Sequence, residues 1–154
     1  MGYRVGGIDG FTLRNGRSLS GAGVGCYMAS PIIMNNTITA NSASGCGGGV
    51  YLGASLALVK ANSVITNQAK GSGGGVHSID SAAEVSRNNI EDNTSCINGS
   101  GVFISTNDSL KLINRDFRRR IARIYANTTG WLVQNVETKQ YERKTHEGAR
   151  LSLP

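Results

Sequence analysis

Two prolines and three cysteines are all the chain has among 154 residues, and only 6% of it is aromatic. So little proline excludes a collagen-like rod or a Pro-rich linker. An odd cysteine count leaves at least one unpaired, and Cys26, Cys46 and Cys96 show no CxxC or Cys/His spacing. Neither a disulfide framework nor a zinc site is supported, and no cofactor is expected. No apolar run approaches the roughly 18 residues of a spanning helix. The opening MGYRVGGIDG lacks the apolar stretch of a signal peptide, so an exported parent would carry its signal elsewhere. Charged residues make up only 17%, yet hydrophobic content of 39% excludes a disordered chain.

Glycine is what the sequence has in excess, 21 residues, beside many Asn, Ser and Thr and enough Val and Ile for a turn-rich β protein. It is unevenly spread. Residues 1–114 hold 19 of the glycines, with seven Lys/Arg against six Asp/Glu. Residues 115–154 hold two glycines, with nine Lys/Arg against four Asp/Glu. The net charge of +6 is thus a property of the last 40 residues, and it does not describe a nucleic-acid-binding surface on the rest. No nucleic-acid partner is expected.

Internal repetition explains the glycine-rich part. A small-Gly-apolar signature ends at Val24 (GAGV), Val50 (GGGV), Val76 (GGGV) and Val102 (GSGV), each 26 residues from the last. An apolar-x-x-Asn signature ends at Asn41, Asn67 and Asn93 with the same step, and Asn36, Asn62, Asn88 and Asn114 form a third column. Such a period describes a solenoid, in which no coil buries its apolar face alone and each stacks on the next at about 4.8 Å. Equal positions then lie above one another. Val24, Val50, Val76 and Val102 become one inward ladder, and Ile38, Val64 and Ile90 another; β-branched residues suit that pleated surface. Asn at a corner bonds its amide to the Asn above and below. Glycines before each Val supply positive φ or close approach.

These features predict an all-β, right-handed parallel β-helix of four to five rungs over residues 6–114, followed by a basic tail, 115–154. Strict counting aligns Asn15 with Asn41, whereas Phe11, Leu13 and Gly16 fit better shifted by one residue. A fifth rung starts at Ser109–Asn114 and then meets Asp116 and Arg119 where an apolar residue and Asn are expected.

The copy NNTITANSASGCGGGVYLG is similar to the repeats of chlamydial-type polymorphic outer-membrane proteins, and to β-helix repeats of the pectate-lyase-like superfamily. IDGFTLRNG resembles the rung that often leads such arrays. The resemblance implies an extracellular or outer-membrane setting and an adhesin or passenger role. The chain departs from the polymorphic proteins in having Val or Ile where they often carry Phe, and it has no recognisable membrane barrel.

No residue is assigned a catalytic role. The solenoid's acids are Asp9, Asp80, Glu84, Glu91, Asp92 and Asp108, and no neighbouring rung offers a second carboxylate in the columns of Glu91 or Asp92. That speaks against the paired or calcium-binding carboxylates of polysaccharide-cleaving enzymes. Ice binding needs repeated Thr-x-Thr, and only Thr37 and Thr39 supply it. One past each ladder Val stand Tyr51, His77 and Phe103, with Gly25 on the first rung. Their neighbours face inward, so these face outward and stack, either as a platform for sugar rings or as a ladder that only stabilises the sheet. In the tail, Phe117, Ile121, Ile124 and Tyr125 make one helical face opposite arginines, which predicts a capping helix over 117–126. A basic contact with anionic lipid or nucleic acid, or a truncated array, are the other readings. Trp131-Leu132-Val133 reads as a strand, with a polar, poorly ordered end to Pro154.

Two functions follow. One is a non-catalytic secreted or surface module presenting a binding face to glycans or a host-cell surface. The other is a fragment of a polysaccharide lyase or hydrolase without its catalytic rungs. Open solenoid ends also predict edge-to-edge self-association.

Overall fold

The computed structural model describes residues 6–105 with their side chains. Beyond these it describes the backbone of strands within 111–114, 124–126, 128–135, 140–146 and 150–151. The fold is a parallel β-solenoid of four turns. The first turn holds β1 (Gly7–Asp9), β2 (Thr12–Arg14), β3 (Arg17–Ser18) and β4 (Val24–Tyr27). The second holds β5 (Ile32–Met34), β6 (Thr37–Thr39), β7 (Ser42–Ala43) and β8 (Val50–Gly53). The third holds β9 (Leu58–Lys60), β10 (Ser63–Ile65), β11 (Gln68–Ala69) and β12 (Val76–Ile79). The fourth holds β13 (Glu84–Ser86), β14 (Asn89–Glu91), β15 (Thr94–Ser95) and β16 (Val102–Ile104). Corresponding strands stack into four sheets, here A to D in the order the chain meets them.

The 26-residue step holds from the second turn to the fourth in every sheet, as in Val64↔Ile90 and Val50↔Val76. The first turn is one residue shorter in three sheets: Ile8 pairs with Ile33, Leu13 with Ile38 and Arg17 with Ser42, while Val24 pairs with Val50. The missing residue therefore lies in the corner between β3 and β4, and Gly16 rather than Asn15 takes the place of Asn41. The shifted alignment is the right one. Inside, Ile33, Val59 and Val85 line sheet A, Ile38, Val64 and Ile90 line sheet B, and Val50, Val76 and Val102 line sheet D, all at 0–1% exposure. Each such Val or Ile removed from water contributes about 1.5–3 kcal/mol.

Each corner turns on one residue of positive φ. The A–B corner uses Gly10, Asn35, Ala61 and Arg87, and the B–C corner uses Asn15, Ala40, Thr66 and Asp92. Side chains there cost about 1–2 kcal/mol each in the left-handed region. The next residue offsets that cost: it is a buried Asn in both corners of turns two to four. Asn62 Oδ1 accepts from the Asn36 backbone N–H (2.9 Å) and Asn36 Nδ2 (3.0 Å), while its own Nδ2 donates to Ile33 O (2.8 Å) and Asn88 Oδ1 (3.0 Å). Asn67 repeats the arrangement with Asn41, Ile38 O and Asn93. All four hydrogen-bonding positions of the amide are used, so a polar ladder runs through a buried corner at no desolvation deficit. The ladders end on the first turn, where Phe11 and Gly16 N–H groups bond Asn36 and Asn41 Oδ1.

The GGGV signature divides its glycines by task. Gly47 and Gly73, first in their triplets, take positive φ at the C–D corner. Gly49, third in its triplet, allows close approach: a Cβ there would lie 2.6 Å from Gly75 O and 2.8 Å from Val64 Cγ1.

Two expectations for the C-terminal part are overturned. β17 (Lys111–Asn114) pairs with β13 as Ser86↔Ile113, a step of 27, which sets Asn114 level with Arg87 instead of in the Asn column. The helix over 117–126 is absent where its residues are described, since Ile124–Ala126 is β18, parallel to β16; residues 117–123 lie outside the described residues. An open sheet edge offers a row of unpaired backbone groups, and an Ile-Tyr segment that favours strands satisfies them better than a short isolated helix. Trp131-Leu132-Val133 lies in β19 (Thr128–Asn135), which is parallel to β17. Of the end to Pro154, Gln140–His146 forms β20 and Arg150–Leu151 forms β21, antiparallel to β19 and β18; residues 136–139, 147–149 and 152–154 lie outside the described residues.

Candidate functional site

Sheet D alternates inward and outward residues. Val76 and Ser78 face the interior, and His77 faces out in register with Tyr51 and Phe103. The three rings stack as expected. Tyr51 and His77 centroids are 5.3 Å apart at 5°, and His77 and Phe103 are 4.8 Å apart at 11°. The spacing is that of the strands themselves, so the ladder follows from register alone.

Although it points outward, His77 is 5% exposed, because a ring covers each of its faces. Burial drives its pKa down from 6.5 to about 4, against a backbone hydrogen bond to Ser72 that pulls the other way. Nδ1 is buried without a partner. His77 is therefore a neutral aromatic member of the stack at pH 7, with no geometry for proton transfer. Tyr51 is half-buried, and its pKa is raised by burial first and then by Cys46, Tyr27 and Asp80.

Sequence reasoning missed Tyr27. Two positions along from Gly25 and 70% exposed, it joins the same outer face in register with Gly53. The Tyr27 and Tyr51 rings both lean over that glycine: a Cβ there would lie 2.9 Å from Tyr27 Cδ2 and 3.0 Å from Tyr51 Cε1. The column Tyr27, Gly53, Ile79 was readable from the period but carries no repeated type. Tyr125, read from the sequence as part of a helical face, has its backbone level with Phe103, at a step of 22 that falls outside the 26-residue period.

The other candidates do not converge. Asp9 and Glu84 lie in sheet A, Glu91 in sheet B, and Asp80 and Asp92 at two different corners. Cys26, Cys46 and Cys96 are all free. Among the described residues no three His, Cys, Asp or Glu side chains are grouped to hold a metal.

Residues 2–114 match a family described as a protein of unknown function, DUF1565. The chain belongs to the DUF1565 family. The match covers the whole of the four-turn DUF1565 solenoid and ends where glycine gives way to arginine. No curated protein and no solved structure matches the chain. What this DUF1565 chain offers chemically is thus read from its own surface: aromatic rings in a fixed column, polar corners and dispersed charge.

Proposed function

We propose that the chain is a non-catalytic module of an exported or surface-displayed protein, and that it binds carbohydrate on the outer face of sheet D. The stack of Tyr51, His77 and Phe103 with exposed Tyr27 beside it carries this reading. Rigid rings present apolar area at little conformational cost, which suits the C–H faces of sugars. The dispersal of carboxylates over separate sheets and corners supports binding over cleavage of a glycan. The resemblance of the repeats to polymorphic outer-membrane proteins supports the surface setting.

A glycan-array measurement on the wild type and on Tyr51→Ala/Phe103→Ala tests the proposal. Loss of binding in the double variant is expected; unchanged binding removes the strip as the contact, and cleavage of an acidic polysaccharide would favour an enzyme instead. Self-association belongs to the same reading. Phe11, Leu19, Tyr27 and Met28 are all exposed on the first turn, at the open edge of β1–β4, and a concentration-dependent shift in size-exclusion is expected.

A further inference from the structure

The ring column on sheet D has a gap. Gly25, Tyr51, His77 and Phe103 are successive members of one register. His77 has a ring on both faces, whereas the face of Tyr51 toward the first turn looks onto the level of Gly25, which has no side chain. A Cβ on Gly25 would meet nothing nearer than 3.8 Å, and the atoms at that distance are the carbonyl oxygens of Ser20 and Gly21. Tyr27, two residues along the same strand, leans over Gly53 beside the Tyr51 ring. β4 is the edge strand of its sheet among the described residues. Val24 and Met28 N–H groups bond the second turn, so parallel alternation turns the Gly25 and Tyr27 amides toward the open edge.

We propose that this gap is a subsite for one pyranose ring, which stacks on Tyr51 above Gly25 and completes the column. The inference rests on the carbohydrate-binding reading and narrows it to one level of the solenoid. A pyranose has a flat C–H face for the free Tyr51 face and a rim of hydroxyls. That rim meets the Ser20 and Gly21 carbonyls on one side and, on another, the amides that Gly25 and Tyr27 turn toward the sheet edge among the described residues. The Ser20 carbonyl accepts from Ser18 Oγ at 2.8 Å and keeps a second lone pair for a hydroxyl; a wholly aromatic guest would match the ring and offer the edge amides no acceptor. Phe103 contributes only through His77, by holding Tyr51 flat.

The test is calorimetric and NMR titration of the full chain with cellohexaose, chitohexaose and hexagalacturonate. Gly25→Phe fills the gap with the chain's own ring and leaves the rest of the strip in place; a side chain has room there and Gly25 has no positive φ to lose. Gly25→Phe and Tyr51→Leu are each expected to weaken binding at least about tenfold, the size of one good ring contact. Bound sugar ring protons are expected to shift upfield through the tyrosine ring current, and Tyr51→Leu abolishes that shift, a readout that stands even where Gly25→Phe fails to fold. Wild-type affinity in folded Gly25→Phe, with loss in Tyr51→Ala/Phe103→Ala, overturns the subsite and leaves the binding face standing. Failure of the wild type to bind any of the three glycans overturns both.

Discussion

Replacing Asn62 by Ala probes the polar ladder at its most enclosed point. Asn62 is 2% exposed, and the groups that depend on it, Asn36 and Ile33, are 1% and 0% exposed. The truncation leaves the Asn36 N–H, one Asn36 Nδ2 hydrogen and the Ile33 carbonyl without the partners now at 2.9, 3.0 and 2.8 Å. Each such buried group costs about 1–3 kcal/mol, and one water entering the vacated volume satisfies two of them. The net loss expected is about 3 kcal/mol, a large part of the roughly 5–15 kcal/mol that holds a domain folded. Urea unfolding followed by circular dichroism measures it. Asn35→Gly is the control: it removes an exposed bond to Asp9 (2.8 Å) and relieves a φ of 54°, so a change within about 0.5 kcal/mol is expected. Asn62→Asp separates accepting from donating. Its carboxylate still accepts from Asn36 but meets Ile33 O and Asn88 Oδ1 without a hydrogen, so its pKa rises on folding. Measured against wild type at the same pH, the variant is therefore expected to lose more stability at pH 7 than below its ordinary value of about 3.9, where the protonated acid donates one bond. A loss below about 1 kcal/mol for Asn62→Ala, at unchanged urea dependence, would refute the ladder as a source of stability.

The pKa of His77, held at about 4 against an ordinary 6.5, makes the unfolded chain the better proton acceptor between those values. Stability is expected to be level above pH 7, to fall by roughly 3 kcal/mol as pH drops from 6.5 to 4, and to level off below. His77→Phe keeps the stack and removes that fall; an unchanged pH profile of unfolding in the variant would contradict the assignment. Gly49→Ala places a methyl 2.6 Å from Gly75 O and is expected to cost about 3 kcal/mol or more in thermal unfolding, whereas Gly25→Ala is neutral. Ser78 is fully buried in the column of Leu52 and Ile104, and its hydroxyl has no partner. Ser78→Val is expected to raise stability by about 1–2 kcal/mol, and a loss in the same assay would show that the hydroxyl is satisfied.

The period, the Val and Asn columns and the outward stack of Tyr51, His77 and Phe103 were legible in the sequence. Stacking places equal positions next to each other, so the same physical demand returns every turn and writes the same residue type. Tyr27 was hidden for the converse reason: a site that occurs once writes no repeated letter. His77 illustrates the limit within a legible column. Alternation set its direction, but its burial and lowered pKa come from rings 26 residues away on either side.

By itself, then, the sequence determined an all-β stack of coils over residues 6–114, because a 26-residue repeat of β-branched, Asn and Gly positions has no other compact way to bury itself. Only the tertiary structure decided the corner lengths, and with them the 25-residue first step and the 27-residue step that removes Asn114 from its column. It also turned Ile124–Ala126 from a helical pattern into a strand. Local periodicity describes what a segment buries; an open sheet edge adds backbone partners that no local pattern records, and there the edge prevailed.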